Sequence, residues 1–172
     1  MLRNTDYTNG NAWWSRSNAT SVSVGMIENE KVLKIDPNTD TQNRGFGISA
    51  ADLLPSLDYC FSGKVYNDAD TDIKVYIQVW YNNSGWEGVK FSTLNAKPGW
   101  NEFELTFKSN GQYEHHILGV GANKPNIIYL KEAKLELGTE ATPWTPAPED
   151  SLSGGGTNMI LAFDVITLAT VT

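Results

Sequence analysis

The sequence predicts an all-β protein, an antiparallel β-sandwich of the jelly-roll type. Three observations predict it: strand-length runs in which apolar residues alternate, turn-forming segments at short intervals, and an unusual composition. The 172 residues include fifteen Gly, seven Tyr and six Trp, and 40 % are hydrophobic. This length suits one domain with a substantial core. The composition favours many short strands joined by polar turns over helices.

The clearest predicted strand is "DIKVYIQVWY", which spans Asp72–Tyr81. Successive side chains of a strand point to opposite faces, so alternate residues form two separate rows. We expect the aliphatic row to face a core and the other row to face water. The aliphatic row is Ile73, Val75, Ile77 and Val79, and the other row is Lys74, Tyr76, Gln78 and Trp80.

Turn-forming segments such as "IDPNTDTQNRG", "YNNSG" and "NAKPGW" separate the remaining runs of strand length. These runs are Thr20–Gly25, Lys31–Asp36, Gly45–Ser49, Tyr59–Tyr66, the short "WEGVKF", Trp100–Lys108, His116–Val120 and Ile127–Leu137. Only "SAADLLPSL" has a helical pattern, and Pro55 limits it to about one turn. Strands at this spacing are typical of a two-sheet antiparallel sandwich.

The chain is predicted to contain a compact module over residues 1–148, a flexible linker over 149–157 and an apolar tail over 158–172. The prolines of "TPWTPAPED" stiffen the exit from the module, and "SLSGGG" has a linker composition. The tail begins a following domain, belongs to an oligomerisation region or is an addition foreign to the natural chain, and all three interpretations stay open. We expect no signal peptide, because "MLRNTDYTNG" lacks an apolar region.

The charge balance excludes several classes of partner. The formal net charge is −7, and no run of Lys or Arg is present to neutralise phosphates. Nucleic acid is therefore not expected as a partner, and an anionic membrane surface is disfavoured for the same reason. A neutral glycan meets no such electrostatic penalty.

Tyr76, Gln78 and Trp80 form the principal candidate site, for carbohydrate. On a strand, Tyr76 and Trp80 lie roughly 13 Å apart, with Gln78 between them. An aromatic ring suits the C–H-rich face of a pyranose, and an amide can both donate to and accept from hydroxyls. The alternative is that a neighbouring loop covers the rings or that they simply decorate the surface.

Five further residues are candidates for the same binding face: Trp14, Arg44, Trp86, Glu87 and His116. Trp86 and Glu87 would reach the face as the hairpin partner of the central strand, although Trp86 could instead pack in the core. Arg44 offers a planar fork of donors, with a surface ion pair as the alternative. Trp13 and Trp14 are adjacent, so one of them must point away from the core. His116 is expected there as a hydrogen-bonding residue.

Neither a metal nor a cofactor nor a catalytic site is predicted. "DADTD" resembles the opening of a calcium loop, but Ile73 and Val79 stand where such a loop needs its glycine and its bidentate acid. No nucleophile elbow, Cys–His pairing or phosphate loop is present. Cys60 is the single cysteine, so no intrachain disulfide can form, and we expect a buried sheet residue. Trp100 and Trp144 are expected to pack at strand ends.

Three stretches resemble the jelly-roll carbohydrate-binding modules of the family 4/9/22 type. They are "LRNTDYTNGNAWW", in which Tyr7 stands at the usual phenylalanine, "YCFSGKVY", and "IIYLKEAKLELGTEATPWTPAPED". The closing phrase is typical of such modules in tail, baseplate and host-adhesion proteins of phages that infect Gram-positive bacteria. The resemblance implies ligand binding across a concave sheet. Lys131 and Glu132 occupy the region where many relatives hold a structural calcium through Asp, so none is expected here.

The resemblance implies non-catalytic recognition of a bacterial cell-wall or surface polysaccharide, by a module of a phage tail or baseplate protein. The expected setting is the virion, with other tail proteins as neighbours and with many copies acting together. Two other functions stay open. One is an ancillary module of a secreted glycoside hydrolase, and the other is a structural jelly roll whose aromatic face contacts another virion protein.

Overall fold

The protein, described by a computed structural model, is built from two antiparallel sheets packed face to face. The structure describes residues 20–37, 46–51, 53–82, 86–109 and 115–146. Its strands are β1 (Thr20–Ile27), β2 (Glu30–Pro37), β3 (Phe46–Ala51), β4 (Asp58–Asn67), β5 (Ile73–Asn82), β6 (Trp86–Ala96), β7 (Gly99–Lys108), β8 (His115–Ala122) and β9 (Ile128–Leu137). One sheet has the order β1-β2-β9-β4-β7, and the other has the order β3-β8-β5-β6.

The predicted fold class is confirmed, and the strands lie close to their predicted positions. The main difference is β6, which extends the predicted "WEGVKF" to Ala96 and pairs with β5 over its full length. The predicted helical turn is wrong, because Leu53–Leu57 form a non-helical turn. Among the described residues there is no helix of the length and hydropathy that a membrane span requires.

The core lies between the two sheets and is filled by alternate residues of their strands. From β5 come the four predicted aliphatic side chains, and from β7 come Phe103, Leu105 and Phe107. Phe61 on β4 meets Phe103 edge to face, with ring centroids 5.2 Å apart. The period-two pattern of the sequence therefore becomes the inward face of each sheet.

Local backbone geometry fixes two features of the five-stranded sheet. Glu28 and Asn29 both have positive φ angles and close the β1–β2 hairpin as a two-residue turn. In β9, Glu132 also has a positive φ, of 54°, where the pairing with β4 shifts register between Ser62 and Lys64. Such a bulge re-aims neighbouring side chains. Here Lys131 and Glu132 both come to lie beside Lys64 on β4.

Asn67 holds the acidic turn between β4 and β5. Its side chain is buried, and Nδ2 donates to the carbonyl oxygens of Thr71 and Ala96, both at 2.9 Å. Oδ1 accepts from the backbone N–H of Ala69 at 2.9 Å. This amide ties the "DADTD" turn to the end of β6, which gives the turn a structural explanation.

We predict that Asn67→Ala destabilises the protein by about 2–3 kcal/mol, since it removes three hydrogen bonds and leaves buried backbone groups unpaired. Urea denaturation followed by tryptophan fluorescence measures the change. Asp70→Ala, at an exposed position of the same turn, is the control and should change stability by less than about 0.5 kcal/mol. Equal effects of the two substitutions would contradict this role for Asn67.

Candidate functional site: the outer face of the four-stranded sheet

β5 occupies an interior position in the four-stranded sheet, between β8 and β6. Its aliphatic row belongs to the core, as the sequence predicts. Lys74, Tyr76 and Gln78 alternate with that row, so they lie on the outer face of the sheet. The arrangement places Tyr76 and Gln78 together on a surface that is separate from the sandwich interior.

The expectation that this row faces water is wrong for Tyr76 and Gln78. Tyr76 is only 6 % exposed and Gln78 only 4 %, whereas Lys74 on the same strand is exposed. Whether an outer face is exposed depends on chain segments that are far away in sequence and pack over it. Alternation along one strand carries no information about those segments. The assignment of Tyr76 and Gln78 to a carbohydrate site stays a prediction.

Across the pairing with β8, the positions beside these two side chains are glycines. Gly121 lies opposite Tyr76, and Gly119 lies opposite Gln78. A glycine has no side chain to project from the outer face, so β8 adds only backbone at these two positions. Asn123, just beyond β8, donates from Nδ2 to the Tyr76 hydroxyl oxygen at 3.2 Å.

Two polar atoms of this cluster are buried and have no hydrogen-bond partner within the described part of the chain: Nε2 of Gln78 and Oδ1 of Asn123. One is a donor and the other an acceptor, and Tyr76 lies between the two residues along the sheet. A buried polar group without a partner costs about 1–3 kcal/mol. A hydroxyl-bearing ligand, which both donates and accepts, would satisfy both atoms.

Asn123 is a candidate site residue that the sequence interpretation does not include. The signal that could have found it is the "GVGAN" run, where two alternating glycines are followed at the next alternate position by an amide. That spacing places Gly119, Gly121 and Asn123 on the same side of the chain.

The other predicted site residues divide into two groups. For Trp80, Trp86 and Glu87 the structure gives backbone register only: Trp80 pairs with Ile117 and Gly88, Trp86 with Asn82, and Glu87 with Tyr81. Their side chains lie outside the described part of the structure. Trp14 and Arg44 fall wholly outside the described residues.

The prediction that His116 shares the binding face is wrong. His116 is in step with Leu118 and Val120, which are core residues, and it is only 2 % exposed. Its ring centroid lies 6.2 Å from that of Phe107, another core residue. Burial lowers the pKa of His116 below its usual value, because the core disfavours the charged imidazolium.

The described residues contain no group of three or more His, Cys, Asp or Glu side chains that could hold a metal ion. Lys131 and Glu132 take part in ion pairs with Glu30 and Lys64. Cys60 is fully buried on β4, and burial raises the pKa of its thiol to about 11. It is therefore a structural residue, as predicted.

Comparison with solved structures identifies the architecture. The chain superposes on a carbohydrate-binding module of family 4 with a TM-score of 0.62 and 18 % identity, covering 80 % of this chain and 100 % of that one. The fold is therefore a jelly roll of two antiparallel sheets. This jelly roll also matches the CBM22-1 xylan-binding domain from Paenibacillus barcinonensis, at a TM-score of 0.56 and 16 % identity, over 75 % of this chain and 87 % of that one.

A third similar structure is the enzymatically active domain of tailspike protein 4 from bacteriophage CBA120. The TM-score is 0.57 and the identity 11 %, over 79 % of this chain and 21 % of that one. No protein-family model matches the sequence, and no curated protein does either.

We predict that His116 makes the protein less stable as the pH falls below about 6.5. The folded-state pKa is lowered, so the unfolded chain binds the proton first, and the free energy of unfolding decreases as the pH drops through the unfolded value near 6.5. Urea denaturation between pH 7.5 and 5.5, above most carboxylate titration, measures the decrease.

In His116→Asn this decrease should become smaller. His115→Asn reports the contribution of the one other histidine in the chain. A decrease that is unchanged in His116→Asn would contradict the prediction.

Proposed function

We propose that this protein binds a saccharide without catalysis, on the outer face of the four-stranded sheet. The observation that carries the proposal is the polar cluster of Gln78, Tyr76 and Asn123, with one buried donor and one buried acceptor unpaired. It supports a ligand that is neutral and rich in hydroxyls. The carbohydrate-binding-module fold supports the same class of ligand.

Each residue of the cluster has a distinct role in the proposal. Gln78 donates from its amide to a sugar oxygen, and Asn123 accepts from a sugar hydroxyl. Tyr76 supplies an aromatic ring beside them, and Trp80, two residues further along β5, supplies the second ring. The glycines of β8 allow the ligand to approach the backbone of the sheet closely.

The positions of two carboxylates in the described structure support the absence of catalysis. Glycosidases use two carboxyl groups about 5–9.5 Å apart at the ligand. Glu102 and Glu104 belong to β7 in the five-stranded sheet, on the far side of the core from Tyr76 and Gln78. Neither of these two carboxylates can therefore act at the proposed site.

The proposed ligand is a cell-surface saccharide of a Gram-positive bacterium, and the proposed setting is a phage tail or baseplate. The closing sequence "KLELGTEATPWTPAPED" and the fold similarity to a phage tailspike domain support this setting. The net charge of −7 is compatible with a neutral polysaccharide. Display of many copies beside other tail proteins would raise a weak single-site affinity to useful avidity.

A second candidate function is that of an ancillary module of a secreted glycoside hydrolase, which the fold similarity to a xylan-binding domain favours. A third is a structural jelly roll in a virion, which the low exposure of Tyr76 and Gln78 favours. Binding assays distinguish the three. A host-recognition module should bind wall polysaccharide, and a hydrolase module should bind xylan. A structural jelly roll should bind neither saccharide.

We predict that Gln78→Ala and Asn123→Ala each weaken saccharide binding at least about tenfold, which corresponds to one or two lost hydrogen bonds. Titration calorimetry with purified wall polysaccharide and with xylan measures the affinity. Lys74→Ala is the matched control, because Lys74 lies on the same face of β5 and is exposed. Its affinity should equal that of the parent.

Parent-like binding by both folded variants would show that the site lies elsewhere. Binding to xylan and not to wall polysaccharide would support the hydrolase module. Absence of binding to either ligand would overturn saccharide recognition and leave the structural role.

A further inference from the structure

The chain that follows β9 returns across the outer face of the five-stranded sheet as a strap of residues 139–146. Thr142 fastens it, because its backbone N–H and its hydroxyl both donate to the Glu136 carboxylate, at 2.7 and 2.6 Å. Lys134 donates to the carbonyl oxygen of Pro143 at 3.1 Å. Burial would raise the pKa of Glu136, but hydrogen bonds from Thr142 and Lys134 hold it below its usual value. The strap is therefore a fixed part of the surface.

Between the strap and the sheet lies a groove of about 520 Å³. Its size is within the range of small-molecule sites. Polar and aromatic side chains line it: Ser62, Lys64, Glu102, Glu132, Thr142 and Trp144. The groove is on the opposite side of the core from Tyr76 and Gln78.

The floor of this groove is a small ion-pair network. Lys64 lies 2.8 Å from Glu132 and 3.7 Å from Glu102. The hydrogen bond with Glu132 raises the pKa of Lys64, so the lysine is charged at neutral pH. Glu104 also lines the groove, so three carboxylates face one lysine. An anionic ligand would be repelled, whereas a neutral one could use carboxylate acceptors and an ammonium donor.

Aromatic rings lie at the groove and just beyond it. Trp144 of the strap lines the groove, and its buried indole Nε1 has no hydrogen-bond acceptor among the described residues. Two residues beyond Lys64 on β4, Tyr66 meets Trp100 edge to face, with centroids 5.3 Å apart. Along the direction of β4, the surface thus carries the Trp144 ring, then the polar groups around Lys64, and then the rings of Tyr66 and Trp100. Trp100 and Trp144 had been assigned to packing alone from the sequence.

We propose that this groove is a second saccharide-binding site, which takes a short neutral carbohydrate between Trp144 and the Lys64 network. Trp144 contributes the flat apolar surface, and Lys64 and Glu102 contribute a donor and an acceptor for hydroxyls. This site goes beyond the proposed function, because it lies on the other sheet and shares no residue with the Tyr76 cluster. Two opposed sites would allow one module to bridge two glycan chains.

The test is an NMR titration of the full isotopically labelled chain with xylohexaose, cellohexaose and the hexamer of N-acetylglucosamine. At least one of these neutral probes should shift the backbone amides of Gly63, Lys64 and Ala141 and the indole N–H of Trp144, with saturation. Trp144→Phe assigns the indole signal. An oligogalacturonate of similar length is the anionic comparison and should leave these signals unchanged.

Variants separate this site from the first one. Glu102→Ala should weaken the groove titration about three- to tenfold, the value of one ordinary hydrogen bond, because this carboxylate is largely exposed to solvent. Its side chain is 82 % exposed, so folding is not at risk. Glu140→Ala, an exposed carboxylate of the strap outside the groove lining, is the matched control and should titrate as the parent does.

Gln78→Ala should leave the groove shifts in place whether or not the first site binds saccharide. The proposal is overturned if no neutral probe shifts the groove signals, or if those shifts disappear in Gln78→Ala. It is also overturned if Glu102→Ala and Glu140→Ala titrate alike. Absence of probe-induced shifts at Gln78 and Asn123 in the parent protein, with the groove shifts present, would count against the proposed function and not against the groove.

Discussion

Packing of two inward-facing rows of side chains is the constraint on which the whole molecule depends. The aliphatic row of β5 and the aromatic and aliphatic row of β7 come from different sheets and meet in one core. Since the side-chain period of a strand is two, burying one row directs every other residue of the same strand outward. The placement of Tyr76 and Gln78 outside the core follows from this packing, and so does the placement of Lys64 and Glu102 on the opposite surface.

The sequence predicts those parts of the fold that depend on local pattern. Alternation defined β5 and β7, and turn-forming segments separated the strands, because both signals act between near neighbours in the chain. It could not predict that Tyr76 and Gln78 are buried, since alternation reports which face a side chain takes and not what covers that face. His116 was misplaced although the sequence carries the signal: it is in step with Leu118 and Val120, and both of these residues belong to the core.

The groove between the strap and the five-stranded sheet could not be predicted, because the residues that form its walls are distant in sequence. Lys64, Glu102, Glu132 and Trp144 come from three strands and the strap, and the bulge at Glu132 brings one carboxylate to Lys64. Nothing in the sequence around any one of them indicates the others. Asn123 was missed in the same way, although the alternating glycines that precede it are a readable sign of an outer face without side chains.

The strap also determines how mechanical load enters the protein. A force applied to the chain beyond position 146 would act on the strap. The strap is held by the two hydrogen bonds from Thr142 to Glu136 and by the bond from Lys134 to Pro143. Tension from that direction reaches the five-stranded sheet first, whereas Gln78 and Asn123 lie on the opposite sheet. Tension applied through the strap would thus load the groove at Trp144 before it reaches the proposed saccharide site at Gln78 and Asn123.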